Sequence, residues 1–116
     1  MKWMETIRVQ SATGKEKAVE RELVLLTREI QENTNPKKLG AVPVSRNTLV
    51  PGCFAIRLFW DTDEPRTRGS ALGMSLAQSL KVFGLVDHCI WIESSETKGG
   101  NGHEHGVKKE TTLFRS

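Results

Sequence analysis

The sequence predicts an α+β fold with the order strand, helix, strand, strand, helix, strand, and three observations support this prediction. Residues 52–60, Gly-Cys-Phe-Ala-Ile-Arg-Leu-Phe-Trp, form the densest apolar run, and as a strand they would offer little to water on either face. Two segments carry apolar residues at the spacing of amphipathic helices. Two others alternate with the period of a strand. A strand as apolar as 52–60 must be covered on both faces, and we expect helices on one side and a second subunit on the other.

Composition limits the class of protein. The 116 residues are enough for one domain with a single core. The 17 basic and 14 acidic residues are interspersed, whereas nucleic-acid binders concentrate basic residues on one face. No stretch approaches the roughly 18 apolar residues of a membrane span, and residues 1–8 lack the apolar core of a signal peptide. We therefore expect a cytoplasmic protein without a nucleic-acid or membrane partner. Cys53 and Cys89 lack metal or redox spacing and are expected to be reduced thiols.

The first half of the chain predicts a strand at 3–10, a helix at 15–32 and a second strand at 41–47. One face of the first strand holds Trp3, Glu5, Ile7 and Val9. Thr13 and Glu16 have the spacing of a capping box at the start of the helix. Pro43 lacks the amide that a central strand needs, so the second strand is predicted to lie at an edge of the sheet.

The second half predicts the third strand at 52–60, a second helix at 72–83 and a fourth strand at 86–93. The second helix has apolar residues four, four and three apart, at Leu72, Leu76, Leu80 and Phe83. Gly84 is a C-cap candidate for it. One face of the fourth strand holds Val86, His88, Ile90 and Ile92.

The composition changes near the C-terminus, which predicts a domain over residues 1–96 and a flexible, glycine-rich tail over 97–116. His103 and His105 lie in that tail. Ordering a flexible segment around a metal ion costs conformational entropy, so we expect no metal site there. No cofactor is expected elsewhere in the chain.

This order of elements is that of the ferredoxin-like β-α-β-β-α-β unit, in which right-handed crossovers place both helices on one face of a four-stranded antiparallel sheet. The predicted strand order is 4-1-3-2, which puts the second strand at an edge, as Pro43 requires. The opposite face would carry Ala55, Phe59, Cys89 and Trp91 among polar residues. Such a face is too apolar to stand in water, so the protein is predicted to be a homodimer.

The chain resembles the dimeric α+β barrel superfamily over residues 4–93, and is most similar to the antibiotic-biosynthesis monooxygenase type. The local match is a third strand ending in Trp60, followed by an acidic loop and a helix. The resemblance implies two subunits packed sheet against sheet. It implies a function ranging from cofactor-independent oxygenation to plain ligand binding. The absence of tyrosine, and of histidine in the second helix, counts against close functional kinship. The missing histidine also counts against the haem-degrading branch, which the resemblance implies would use such a residue as an iron ligand.

Trp60 and His88 are the catalytic candidates. Trp60 matches the strand-ending tryptophan of the resembled family, although its parity puts it on the helix-facing side, where it can equally be a core aromatic. His88 is the only histidine inside the predicted fold. It can act as a base, or it can be a hydrogen-bonded core residue.

The candidates for binding a small-molecule substrate are Arg8, Arg57, Phe59 and Trp91, all with the parity of the open face. Two arginines on neighbouring strands would suit a carboxylate, phosphate or phenolate. The alternative is that they form ion pairs with Asp87 or Glu93, or with the partner subunit.

Two functions therefore remain open. One is a cofactor-independent monooxygenase-like or isomerase-like enzyme that acts on a small aromatic or anionic molecule. The other is a non-catalytic dimeric module that binds a small anionic ligand or a protein. A polar group beside Trp60 or Trp91 would favour the enzyme, and a pocket lined only by apolar groups and paired arginines would favour the module.

Overall fold

The computed structural model describes residues 1–93, and the structural statements below concern those residues. The predicted tail at 97–116, with His103 and His105, and the domain boundary at residue 96 lie outside them. The elements follow the predicted order: β1 Lys2–Ser11, α1 Glu16–Asn33, β2 Val44–Arg46, β3 Cys53–Asp61, α2 Ala71–Ser79 with a 3-10 turn Leu80–Phe83, and β4 Gly84–Ile92.

The four strands form one antiparallel sheet in the order β2-β3-β1-β4, which confirms the predicted order 4-1-3-2. In the middle of the sheet β1 pairs with β3 along its length, with Trp3 opposite Trp60 and Ile7 opposite Ile56. The edge strand β2 has only three residues. Pro43 precedes it, and its carbonyl accepts a hydrogen bond from the Arg57 amide. Proline, which has no amide hydrogen to donate, is tolerated at such an edge.

The core lies between the helices and one face of the sheet, as the alternation of apolar residues predicted. Its most deeply buried side chains are Ile7, Val9, Leu23, Ile56, Leu58 and Leu80. Ile92 was expected in this set but is 42% exposed. It is the last residue of β4, and β4 is an edge strand, so little of the helical layer covers it.

The predicted capping box at the start of α1 is wrong. The N-cap is Lys15, so Glu16 is the first helical residue instead of the third, where a capping box needs its acid. The Glu16 carboxylate instead accepts a hydrogen bond from the Gly14 amide at 3.0 Å.

The second helix is shorter than the sequence pattern suggested, because its last turn is a 3-10 turn and β4 begins at Gly84. A Cβ at Gly84 would overlap the carbonyl oxygen of Gln10 in the adjacent strand, so this position needs glycine. At the other end of α2, Ser70 is the N-cap and its Oγ accepts the Gly73 amide at 2.9 Å. This cap fixes Ser70 beside the site described below.

The two cysteines lie on different strands, with Cys53 opposite Gln10 and Cys89 opposite Thr6, and both are free thiols. Burial raises the pKa of the Cys89 thiol, which lowers its reactivity. Among residues 1–93 no helix is long and apolar enough to cross a membrane.

Candidate active site

Glu5 is a fully buried carboxylic acid in the middle of the central strand, on the face that packs against the helices. A buried carboxylate is costly unless donors surround it. Glu5 was not among the predicted site residues. The sequence does contain an indication of its role, because Glu5 is the one charged residue in the alternating set with Trp3, Ile7 and Val9.

One oxygen of Glu5, Oε2, is held by the end of β3 and the start of α2. The indole Nε1–H of Trp60 donates to it at 2.8 Å, and the Ser70 hydroxyl donates to it as well. The Ser70 amide lies 3.2 Å from both carboxylate oxygens. The cap of α2 and the buried carboxylate therefore share one serine.

The other oxygen, Oε1, lies 2.7 Å from Nε2 of His88. His88 sits on β4 opposite Ile7, one step diagonally across the sheet from Glu5. Its side chain is 17% exposed, whereas that of Glu5 is 0% exposed. The carboxylate thus joins the interior of the protein to a histidine that reaches solvent.

Two glycines give this pair its space. A Cβ at Gly73 would overlap the Glu5 carboxylate, and a Cβ at Gly69 would lie 2.6 Å from Cε1 of His88. Real Cβ atoms do not approach other atoms so closely. Glycine at these positions lets the start of α2 approach the sheet over Glu5 and His88.

Trp60 stacks on Trp3, with ring centroids 5.8 Å apart and planes 19° from parallel. The Trp3 indole N–H donates to Thr62 Oγ1 at 2.8 Å, as that of Trp60 donates to Glu5. Trp60 therefore faces the helices, as its parity indicated. Both indole N–H groups are used within the protein, which leaves the ring faces and edges to line a site.

A cleft of about 750 Å³ opens beside this pair of tryptophans, between them and the loop that joins β3 to α2. Its walls include Trp3, Trp60, Asp61, Thr62, Arg66 and Ser70. Its volume suits a small-molecule ligand. Ser70 and Trp60 both line the cleft and both contact Glu5, whereas His88 does not line it. Glu5 thus stands between the cleft and His88.

The two arginines of the open face point toward opposite edges of the sheet. Arg8 on β1 pairs with Asp87 on β4, with Nη2 2.6 Å from Oδ2. Arg57 on β3 donates instead to Ser45 Oγ on β2, at 2.9 Å. The hydrogen bond from Arg8, opposed in part by burial, lowers the pKa of Asp87. Arg8 therefore forms an ion pair with Asp87, which was one of the two predicted alternatives. The two guanidinium groups do not share a partner. A role for either arginine in binding a ligand stays a prediction.

Phe59 and Trp91 flank Met4 on the open face, because the register places each of them opposite it on the two neighbouring strands. Met4 is 3% exposed and Phe59 is 40% exposed. They contribute to a second depression of about 600 Å³, which shares Trp3 and Trp60 with the cleft and whose rim includes Lys2, Lys37 and Lys38.

No three His, Cys, Asp or Glu side chains within residues 1–93 are placed to hold a metal ion together. The donors around Glu5 are indole, hydroxyl, amide and imidazole groups, an arrangement that holds a carboxylate rather than a cation.

Among solved structures, the fold is similar to the crystal structure of a "putative antibiotic biosynthesis monooxygenase" from Bordetella bronchiseptica, with a TM-score of 0.50. The two chains are 18% identical, and the match covers 75% of this chain and 93% of the other. No protein-family model matches the sequence, and no curated protein is similar to it. The structural match confirms the ferredoxin-like fold of the antibiotic-biosynthesis monooxygenase type, and at this identity it shows the fold alone.

Proposed function

We propose that this protein, which has a fold of the monooxygenase type, is a small enzyme. It would oxygenate an aromatic or anionic small molecule without a cofactor, in the cleft beside Trp60. The observation that carries the proposal is Glu5, a fully buried carboxylate linked to the cleft by the Ser70 hydroxyl. It is a polar group beside Trp60, which favours an enzyme over a binding module. Buried titratable groups beside a cleft are frequent in active sites.

Glu5 accepts the proton that starts the reaction. A substrate held in the cleft loses a proton to Ser70 Oγ while Ser70 passes its own proton to Glu5 Oε2. The substrate anion is then electron-rich enough to reduce dioxygen. For an activated methylene the balance closes with one oxygen atom entering as a carbonyl and the other leaving as water. The protein supplies a placed proton acceptor and a cleft that restricts water.

The other members of the cluster hold Glu5 in place. Trp60 donates to Oε2 and offers its ring to the cleft, and His88 binds Oε1 from the far side. Phe59 and Trp91 belong to the open face and not to the walls of this cleft. We propose that they bury themselves against a second copy of the chain, so that the enzyme is a homodimer.

A non-catalytic module that binds a small anion is the second candidate. The observation in its favour is the depression of the open face, where Phe59 and Trp91 lie beside Lys2, Lys37 and Lys38. Aromatic surface next to lysines suits an aromatic acid.

Oxygen uptake with a panel of phenols, hydroquinones and compounds with activated methylenes tests the enzyme. We expect at least one compound to be oxidised, and Glu5→Gln to slow that reaction by about 10² to 10⁴, the usual worth of a placed proton acceptor. Asp87→Asn is the matched control, because it also replaces a carboxylate by an amide, on the face of β4 away from the cleft, and should leave the rate unchanged. An unchanged rate in Glu5→Gln would refute the role of Glu5. Anions that stabilise the protein without any oxygen uptake would favour the binding module.

A further inference from the structure

The hydrogen bonds around Glu5 determine which nitrogen of His88 carries a proton. We infer that Glu5 fixes His88 in the tautomer with hydrogen on Nε2, and that His88 in turn holds Oε1 so that Oε2 stays against the Ser70 hydroxyl, from which it accepts a proton from the cleft. His88 is then a positioning residue. This inference rests on the proposed function for its purpose, but its geometry and its test do not.

The groups that contact Glu5 Oε2 all donate hydrogen bonds to it. The indole of Trp60 and the backbone amide of Ser70 can only donate hydrogen bonds. The Ser70 hydroxyl accepts the Gly73 amide at 2.9 Å, so its own proton is free to point at Glu5. Three donors converge on this carboxyl group, the arrangement expected around an ionised carboxylate.

The other oxygen of Glu5, Oε1, faces the imidazole of His88. An ionised carboxylate only accepts hydrogen bonds, so the partner at 2.7 Å, Nε2 of His88, must supply the proton. Within residues 1–93 no other hydrogen bond joins a partner to the His88 ring. The side chain is partly exposed, and Nδ1 has no acceptor among residues 1–93 that would require a proton on it.

Two glycines keep the ring of His88 against the carboxylate of Glu5. Gly69 lies against the Cε1 and Nε2 edge of the imidazole, and Gly73 lies against the carboxylate. These contacts hold the ring edge toward Oε1. The Ser70 hydroxyl contacts Oε2 and not Oε1, so a proton that arrives through Ser70 meets Oε2 as long as His88 keeps Oε1 turned away from the serine.

The tautomer is measured directly from the ¹⁵N shifts of the imidazole nitrogens, recorded on the alkaline plateau where these shifts no longer change with pH and the ring is neutral. The chain has 3 histidines, and loss of one set of signals in His88→Gln assigns its resonances. In the wild-type protein we expect Nε2 protonated and Nδ1 unprotonated. A proton on Nδ1 overturns the inference. This result needs no substrate and no variant of Glu5.

Glu5→Gln makes the test sharper because it should invert the tautomer. The glutamine oxygen must take the Oε2 position, where Trp60 and Ser70 donate, and its NH₂ group then faces His88. Nε2 must now accept, so the ring proton moves to Nδ1. Asp87→Asn, the adjacent carboxylate on the other face of β4, should leave Nε2 protonated. An unchanged tautomer in a folded Glu5→Gln protein overturns the inference.

The two proposals fail in different ways. The expected tautomers together with no oxygen uptake would leave the positioning of His88 intact and refute the oxygenase. Oxygen uptake that depends on Glu5, together with a proton on Nδ1 in the wild type, would refute this inference alone.

Discussion

Gly73 shows at the scale of one residue how closely the helix is fitted to the buried acid. A Cβ there would overlap Glu5, so Gly73→Ala must displace either the carboxylate or the start of α2. We expect it to lower the free energy of unfolding by about 1–3 kcal/mol, although alanine is the better helix former. Urea denaturation measures the change.

Gly40→Ala is the control for this substitution. A Cβ at Gly40 would lie 3.8 Å from its nearest neighbour, which is ordinary contact, so we expect a change within about 0.5 kcal/mol. Equal effects of the two substitutions would mean that the start of α2 does not press on Glu5.

The sequence predicted only part of this cluster. Alternation placed Trp60 and His88 on the helix-facing side correctly, since a period of two assigns the faces of a strand without any tertiary information. It also places Glu5 on that side, but it could not show which groups would satisfy a buried carboxylate there. The groups that satisfy Glu5 lie 55, 65 and 83 residues away along the chain, and a lone acid in a strand has no local sign of such partners.

At the scale of elements, the pairing of β1 with β4 carries an ion pair whose effect depends on pH. Arg8 lowers the pKa of Asp87, so the pair stabilises the fold above the unfolded value of about 3.9. That stabilisation is lost as the pH falls through the lower value of the folded state. Both side chains are about half exposed, so it is worth at most about 1 kcal/mol.

Asp87→Asn should therefore reduce stability slightly at pH 7 and hardly at all near pH 2. Urea midpoints of wild type and variant at the two pH values measure the difference. A gap that is as large at pH 2 as at pH 7 would show that Asp87 acts by packing and not by charge.

The element boundaries show where sequence patterns stop being informative. The order of elements and the edge position of β2 followed from apolar periodicity and from Pro43. The capping box failed because its two residues had the right spacing but the helix began at Glu16 itself. The 3-10 turn of Leu80–Phe83 keeps an apolar spacing that a helix also satisfies, so periodicity alone could not reveal it.

At the scale of the whole molecule, the open face of the sheet predicts a homodimer. Phe59 is 40% exposed beside Trp91 and the buried Met4, and burying a large apolar side chain is worth about 1.5–3 kcal/mol. Sedimentation should show a dimer at micromolar concentration that Phe59→Asp dissociates.

Leu49→Asp is the control for the dimer. Leu49 is 88% exposed but lies outside the strands, in the connection between β2 and β3, so its substitution should leave the dimer intact. A wild-type monomer would contradict the proposed assembly, although it would leave the cleft beside Trp60 unchanged.

The indole ¹⁵N–¹H resonances of the 3 tryptophans report most directly on where this protein binds its ligand. Trp3 and Trp60 line the cleft and donate to Thr62 and Glu5, whereas Trp91 lies on the open face and does not line the cleft. The titrants are small aromatic acids and phenols that raise the melting temperature of the wild-type protein. Our account predicts that they shift the Trp3 and Trp60 signals and leave Trp91 unchanged. A shift of Trp91 would contradict it, with or without shifts of Trp3 and Trp60, because those two rings border both the cleft and the open-face depression whereas Trp91 borders the depression alone. The ligand would then occupy the open face, and Glu5 would not be the centre of the site.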